Sequence, residues 1–138
     1  MTANLHQRSS SCAITATRDA QALIVRVGGE IDLLSAQRLR DFLLPRLRVF
    51  LLPSVGVSPR SEVHLDMAHV SFFCSAGASV LADASEAAQQ HEAALLVRPS
   101  RCVARVLTIL GMIEAELAAS APETNTPSEV LYEIGPPR

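Results

Sequence analysis

The chain has 138 residues, of which 49% are hydrophobic, and a formal net charge of −2 at pH 7. A chain of this length suffices for one domain with an ordinary core, since it buries about two-thirds of the surface that its unfolded form exposes. The near-neutral charge gives no indication of binding to nucleic acid or to an anionic membrane. All 12 basic residues are arginines, which excludes Schiff-base chemistry and the lysine of a phosphate-binding loop.

The segments that could direct the chain out of the cytoplasm lack the necessary pattern. Residues 1–18 are polar and contain no apolar core of roughly 7–15 residues, as a secretory signal would. The most apolar segment, 42–57, is interrupted by prolines and arginines, so it is not expected to span a bilayer. We therefore expect a cytoplasmic location, with no membrane and no nucleic acid among the partners.

Cysteine and histidine patterns give no indication of a metal or cofactor site. The three cysteines are an odd number without a CxxC pair, which argues against a disulfide framework or a zinc site. His64, Asp66 and His69 form the one metal-like cluster, and their spacing is a poor match to a zinc site. We expect no metal and no cofactor.

The first part of the chain predicts a hairpin followed by a helix. Strands are expected over 12–16 and 22–27, with the second ending at Gly28-Gly29. A helix should follow, capped by Asp32 or Ser35. Its apolar positions lie near one face; they are Leu34, Leu39, Phe42 and Leu43.

Proline and glycine divide the rest of the chain into shorter elements. Pro45 should end or kink the first helix, and the Pro-, Gly- and Ser-containing segment 49–61 is typical of a long loop. The expected later elements are a strand over 62–67, a helix from Cys74 or Ser75 to about Gln90, a strand over 94–97, a helix from Pro99-Ser100 to Gly111, an edge strand over 113–117 and a short helix over 126–132.

This order of elements predicts an α/β fold. Strands that alternate with helices indicate a largely parallel or mixed β-sheet with right-handed crossovers. We expect a single domain over 1–138, with its core at about 13–117. A polar segment, 1–11, precedes the core, and a C-terminal segment, 118–138, follows it.

The segment 72–81, Phe-Phe-Cys-Ser-Ala-Gly-Ala-Ser-Val-Leu, places Ser75 between a strand and a helix. A helix N-terminus presents unpaired N–H groups and a partial positive charge. A phosphate on Ser75 would be tolerated there, yet would add about −1.5 to −2 charges to the surrounding surface. Ser75 is therefore a candidate switch; the structural alternative is that its hydroxyl only caps the helix.

Four local runs, in this order and spacing, resemble the STAS domain of small bacterial anti-sigma-factor antagonists. The segment 29–32, Gly-Glu-Ile-Asp, is similar to the family's turn after the second strand. The segment 63–67, Val-His-Leu-Asp-Met, is similar to its third strand, and 106–111 to its third helix with the closing glycine. The segment 74–77, Cys-Ser-Ala-Gly, is similar to its Asp-Ser-Ser/Ala-Gly switch loop, with Cys74 where aspartate is usual.

The resemblance implies a STAS-like α/β domain, in which the helices pack mainly on one face of a mixed β-sheet. It also implies a protein that binds an anti-sigma factor, usually a small Ser/Thr kinase, and thereby frees a sigma factor. In the family the kinase phosphorylates the loop serine, which falls here on Ser75, and this abolishes binding. The acidic contact positions fall on Asp32 and Asp66. The other implied contact positions are those of the switch loop: Cys74, Ala76 and Gly77.

The sequence also bears on an enzymatic, a scaffold and a redox function. Ser75 lacks the Gly-x-Ser-x-Gly turn of hydrolases, and no other catalytic constellation is found, so we expect no enzyme activity. We also expect a monomer or weak dimer. One alternative is a STAS scaffold subunit of a signalling or lipid-transport complex. The other is a redox sensor that uses Cys74 and Cys102, because both follow strands in the first turns of helices.

Overall fold

Strands and helices alternate along the chain in a computed structural model, which describes residues 12–18, 21–52, 62–114 and 131–137. Within these ranges the order is ββαβαβαβ. The elements are β1 Cys12–Arg18, β2 Ala22–Ile31, α1 Leu33–Leu51, β3 Glu62–Phe73, α2 Ser75–Gln90, β4 Ala94–Pro99, α3 Arg101–Ile109 and β5 Tyr132–Glu133.

The strands form one mixed sheet in the order β1-β2-β3-β4-β5. The three central strands are parallel, whereas β1 and β5 pair antiparallel with their neighbours at the two edges. Parallel neighbours need a crossover connection, and α1 and α2 provide these between β2 and β3 and between β3 and β4. The right-handed rule for such crossovers places both helices on the same face, where they pack against each other.

The rows of side chains across the sheet separate a covered face from an open one. Leu23, Val63 and Leu95 stand in register on three neighbouring strands and are at most 2% exposed. The row that contains Arg26 and Asp66 lies on the opposite face, since side chains alternate with a period of two. The predicted mixed α/β sheet with helices mainly on one face is confirmed.

Strands β2 and β3 both run further than their sequences suggest. The prediction that β2 ends at Gly28-Gly29 was wrong, because pairing with β3 continues to Ile31 and Phe73. The register shifts around the two glycines, and Gly29 has a φ of 94°, a backbone conformation open mainly to glycine. Gly29 therefore allows an irregular register within the strand rather than ending it.

Helix α1 continues through Pro45 to Leu51, so Pro45 does not end it, and the prediction that a loop begins at Val49 was wrong for residues 49–51. An internal proline costs a helix about 3 kcal/mol. The turns after it bury Leu47, Phe50 and Leu51 to 8% exposure or less. Since burying each such side chain contributes about 1.5–3 kcal/mol, packing outweighs the proline.

The C-terminal expectations were partly wrong. Tyr132 lies in β5, paired with Val97 of β4, and not in a helix; residues 126–130 of that prediction lie outside the described ranges. The tyrosine is 1% exposed, so completing the sheet edge buries a large aromatic side chain. Ile113 and Glu114 are not in a strand, and the rest of the predicted edge strand is outside the described residues.

Candidate functional site at the ends of β2 and β3

The carboxyl ends of β2 and β3 bring the two candidate loops together. Ile31 and Phe73 are register partners on these parallel strands, and the Cys74 N–H donates to the Ile31 carbonyl over 3.1 Å. Each strand leads directly into a helix, α1 after Asp32 and α2 after Cys74. The Asp32 and Ser75 segments therefore leave the sheet side by side, as expected for adjacent parallel strands.

Asp32 is the N-cap of α1 and forms a reciprocal capping box with Ser35. The Asp32 carboxylate accepts from the Ser35 N–H at 2.9 Å, and the Asp32 N–H donates to Ser35 Oγ at 2.8 Å. The Ser35 hydroxyl is buried and lies within hydrogen-bonding distance of both the Glu30 carbonyl and the Asp32 carboxylate. These hydrogen bonds from Ser35 lower the pKa of Asp32 below its usual value, which keeps an exposed carboxylate charged at this edge.

Ser75 is the first residue of α2 and is exposed. Cys74 holds the N-cap position, where its carbonyl accepts from the N–H groups of Gly77 and Ala78 but its thiol makes no capping bond. Ser75 Oγ has no hydrogen bond to any described residue. The alternative in which Ser75 caps the helix is therefore not what the fold shows, and its hydroxyl is open to solvent.

Gly77 is buried against the side chains that end the two strands. A Cβ at this position would lie 2.6 Å from Phe73 Cε1 and 2.9 Å from Ile31 Cγ2, closer than non-bonded carbons come. The close approach that requires glycine is thus to this chain's own core. Gly77 contributes to the site by letting the first turn of α2 lie close to the β2–β3 pair.

Three large apolar side chains near the paired ends of β2 and β3 are left in solvent. Leu33 and Leu34 are each 73% exposed and Phe72 is 49% exposed. All three lie within three residues of the paired Ile31 and Phe73, as does Ser75. We call the group Leu33, Leu34, Phe72 and Ser75 the docking surface, because clustered exposed apolar side chains are typical of interaction sites.

The sequence did not predict these apolar members. Leu34 was predicted to lie near the same face of α1 as Leu39, yet Leu39 is buried and Leu34 is exposed. The signal was present in the spacing: five residues at 3.6 per turn place Leu34 roughly 140° from Leu39 around the helix. Phe72 alternates with buried Phe73 and so faces away from the core, but the end of β3 was predicted at Met67.

Asp66 is not part of this cluster. Its carboxylate lies on the open face of the sheet, 3.4 Å from an Arg98 nitrogen and 3.8 Å from Arg26 Nε. Seven residues of β3 separate it from Phe73, about 23 Å at the rise of a strand. The fold therefore brings Asp32 together with residues 74–77, while Asp66 pairs with arginines elsewhere on the sheet.

Cys74 and Cys102 are both half-buried but lie at different places. The Cys102 thiol donates to the Val70 carbonyl at 3.3 Å, three residues before the end of β3. Val70 lies four residues before Cys74, about 13 Å along an extended strand. Both thiols are free, and the redox alternative that uses Cys74 and Cys102 stays a prediction.

The fold and this serine-bearing edge define the class of protein. The STAS domain family model matches residues 13–119, and the chain belongs to this family, which consists of non-enzymatic regulatory domains. No curated protein matches the sequence closely enough to count as a relative. Within the described ranges, no helix is both long and apolar enough to cross a membrane.

Solved structures share the fold at low sequence identity. The unphosphorylated form of the anti-sigma factor antagonist SpoIIAA is similar with a TM-score of 0.53 and 15% identity, over 72% of this chain and 81% of that one. A STAS-domain antisigma-factor antagonist from Rhodobacter sphaeroides has a TM-score of 0.44 and 14% identity, over 64% of this chain and 87% of that one. At this identity the first likeness establishes the fold alone.

Proposed function

We propose that this protein is a cytoplasmic anti-sigma-factor antagonist that binds an anti-sigma factor of the Ser/Thr kinase type and thereby frees a sigma factor. Phosphorylation of Ser75 by that kinase switches the binding off. The observation that carries the proposal is an exposed serine, with no hydrogen bond to the described residues, among exposed apolar side chains at the edge where β2 and β3 end. The fold shared with SpoIIAA, itself an anti-sigma factor antagonist, supports the same interpretation.

The apolar members of the docking surface suit a protein partner. Burial of Leu33, Leu34 and Phe72 in a complex would remove from water the largest apolar side chains near Ser75, which favours association. Glu30 and Asp32 are exposed beside them, so the cationic groups that the partner presents are expected to pair with these two carboxylates, at the margin of the apolar patch. The proposal needs no catalytic group on this chain, and we propose that it is not an enzyme.

The effect of a phosphate follows from its charge and position. A phosphate on Ser75 adds about −1.5 to −2 charges at pH 7 to a surface that already carries two carboxylates. Burial of that charge in an apolar contact costs on the order of several kcal/mol if the partner offers no matching cation. Since about 1.4 kcal/mol is a factor of ten in affinity, binding should fall at least a hundredfold.

Charge substitution and phosphopeptide mapping test this proposal. Partners are captured on the wild-type protein from native extract, and the affinity of the captured kinase is then measured for Ser75→Ala and Ser75→Asp. We expect Ser75→Ala to bind like the wild type and Ser75→Asp to bind at least a hundredfold more weakly. Phosphate should map to the peptide that contains Ser75.

Ser100→Asp is the matched control. Ser100 is the N-cap of α3 and accepts from the Val103 N–H, a role that aspartate also performs, so the variant adds the same charge at a different helix start. It should leave the affinity unchanged. Equal affinity of all four proteins would contradict the switch, and capture of other STAS domains without a kinase would favour the scaffold alternative.

A further inference from the structure

A second candidate site lies at the other end of α1, away from the docking surface. A hollow of about 400 Å³ separates the end of β1 from the second half of α1, and its lining consists of Ala16, Thr17, Arg18, Leu23, Pro45, Arg46 and Val49. This volume falls within the range of roughly 300–1,000 Å³ that small-molecule pockets occupy. Val49 is fifteen residues after Leu34, about 22 Å along the helix.

The hollow combines apolar walls with two cationic groups. Leu23 is 2% exposed at its base, and Val49 is 58% exposed at its margin. None of the lining residues is acidic. In the described part of the chain, neither Arg18 nor Arg46 forms an ion pair, so the two positive charges at the hollow are not neutralised there.

Both guanidinium groups lie against aromatic rings of α1. The Arg18 guanidinium lies 5.3 Å from the centre of the Phe50 ring, and that of Arg46 lies 3.7 Å from the centre of the Phe42 ring. Arg46 also donates to the Phe42 carbonyl at 2.9 Å, one turn earlier in the helix. A guanidinium has five donors, so each arginine keeps donors for a ligand.

We propose that this hollow binds an amphiphilic carboxylate, with its hydrocarbon chain against Leu23, Pro45 and Val49 and its carboxylate at Arg18 and Arg46. The apolar walls supply the burial of the chain, and the two arginines, which form no ion pair with a described residue, supply charge complementarity. A second copy of this protein is a poorer occupant, because it would bring the same arginines towards each other. The site is independent of Ser75 and of the proposed function.

A titration with three probes separates the contributions of charge and chain. The backbone amide resonances of the full-length protein are followed by NMR during addition of sodium octanoate, octan-1-ol or sodium acetate. We expect saturable binding of octanoate, with the largest shifts at Ala16, Leu23 and Val49. Octan-1-ol and acetate should each bind about tenfold more weakly or worse, since each lacks one of the two contributions.

Variants at exposed positions locate the site without disturbing the core. Arg18→Gln and Arg46→Gln should each weaken octanoate binding about tenfold, and Val49→Glu should abolish it by placing a carboxylate at the hollow. Arg48→Gln is the control, because Arg48 is an exposed arginine of the same helix that does not line the hollow. Equal binding of octan-1-ol and octanoate, shifts confined to other residues, or equal losses in Arg48→Gln would overturn the proposal.

Discussion

The substitution Gly77→Ala tests whether the geometry at the start of α2 decides stability. Helix propensity alone predicts that alanine stabilises this position by about 1 kcal/mol. The added Cβ would lie 2.6 Å from Phe73 Cε1 and 2.9 Å from Ile31 Cγ2. Both side chains are buried, at 5% and 0% exposure, so neither can move into solvent to make room.

The expected magnitude follows from these opposing effects. Overpacking of a well-packed core costs about 1–3 kcal/mol, and two contacts below 3.0 Å with a ring and a branched side chain favour the upper half of that range. After the gain in helix propensity, we expect Gly77→Ala to lower the free energy of unfolding by about 1–2 kcal/mol. Urea denaturation, followed by circular dichroism and analysed with a two-state model, measures this difference.

Gly28→Ala provides the matched control. A Cβ at Gly28 would meet only His69 Cβ at 3.6 Å and a carbonyl oxygen at 3.8 Å, which are ordinary contacts. This variant should therefore equal the wild type or exceed it by about 0.5–1 kcal/mol. A Gly77→Ala protein that is as stable as the wild type, or more stable, would refute the reasoning from close packing.

Two further predictions concern Asp32 and the cysteines. The pKa of Asp32 is lowered in the folded state by hydrogen bonds from Ser35, so the contribution of this carboxylate to stability is present above the ordinary carboxyl pKa of about 4 and is lost as the pH falls through the folded pKa. Asp32→Asn keeps a capping acceptor without this titration. An identical loss of urea stability from pH 6 to pH 3 in the wild type and in Asp32→Asn would contradict the assignment. Burial raises the pKa of the Cys12 thiol and covers it, so iodoacetamide should label Cys12 more slowly than Cys74. Mild peroxide should give no Cys74–Cys102 crosslink by mass spectrometry, because the Cys102 thiol bonds to the Val70 carbonyl, four residues before Cys74; such a crosslink would favour the redox alternative.

Local pattern was sufficient for most elements and for the position of Ser75. A helix start depends on a few neighbouring residues, and the Asp32 cap and the start of α2 after Cys74 were both within the predicted choices. The mixed sheet was predictable because alternating strands and helices permit few connections. Proline and glycine were less reliable as signals for the end of a helix or strand. Pro45 lies inside α1 and Gly28-Gly29 inside β2, because tertiary contacts extend both elements.

Sequence alone therefore determined the family, the order of the main elements and the serine between β3 and α2. Tertiary structure decided what surrounds that serine: Leu33, Leu34 and Phe72 lie in solvent beside it, Gly77 is confined by the core, and Asp66 is distant. It also decided that Tyr132 completes the sheet. The physical reason is that capping and periodicity act within one turn or strand, whereas exposure and pairing depend on segments far apart in the chain.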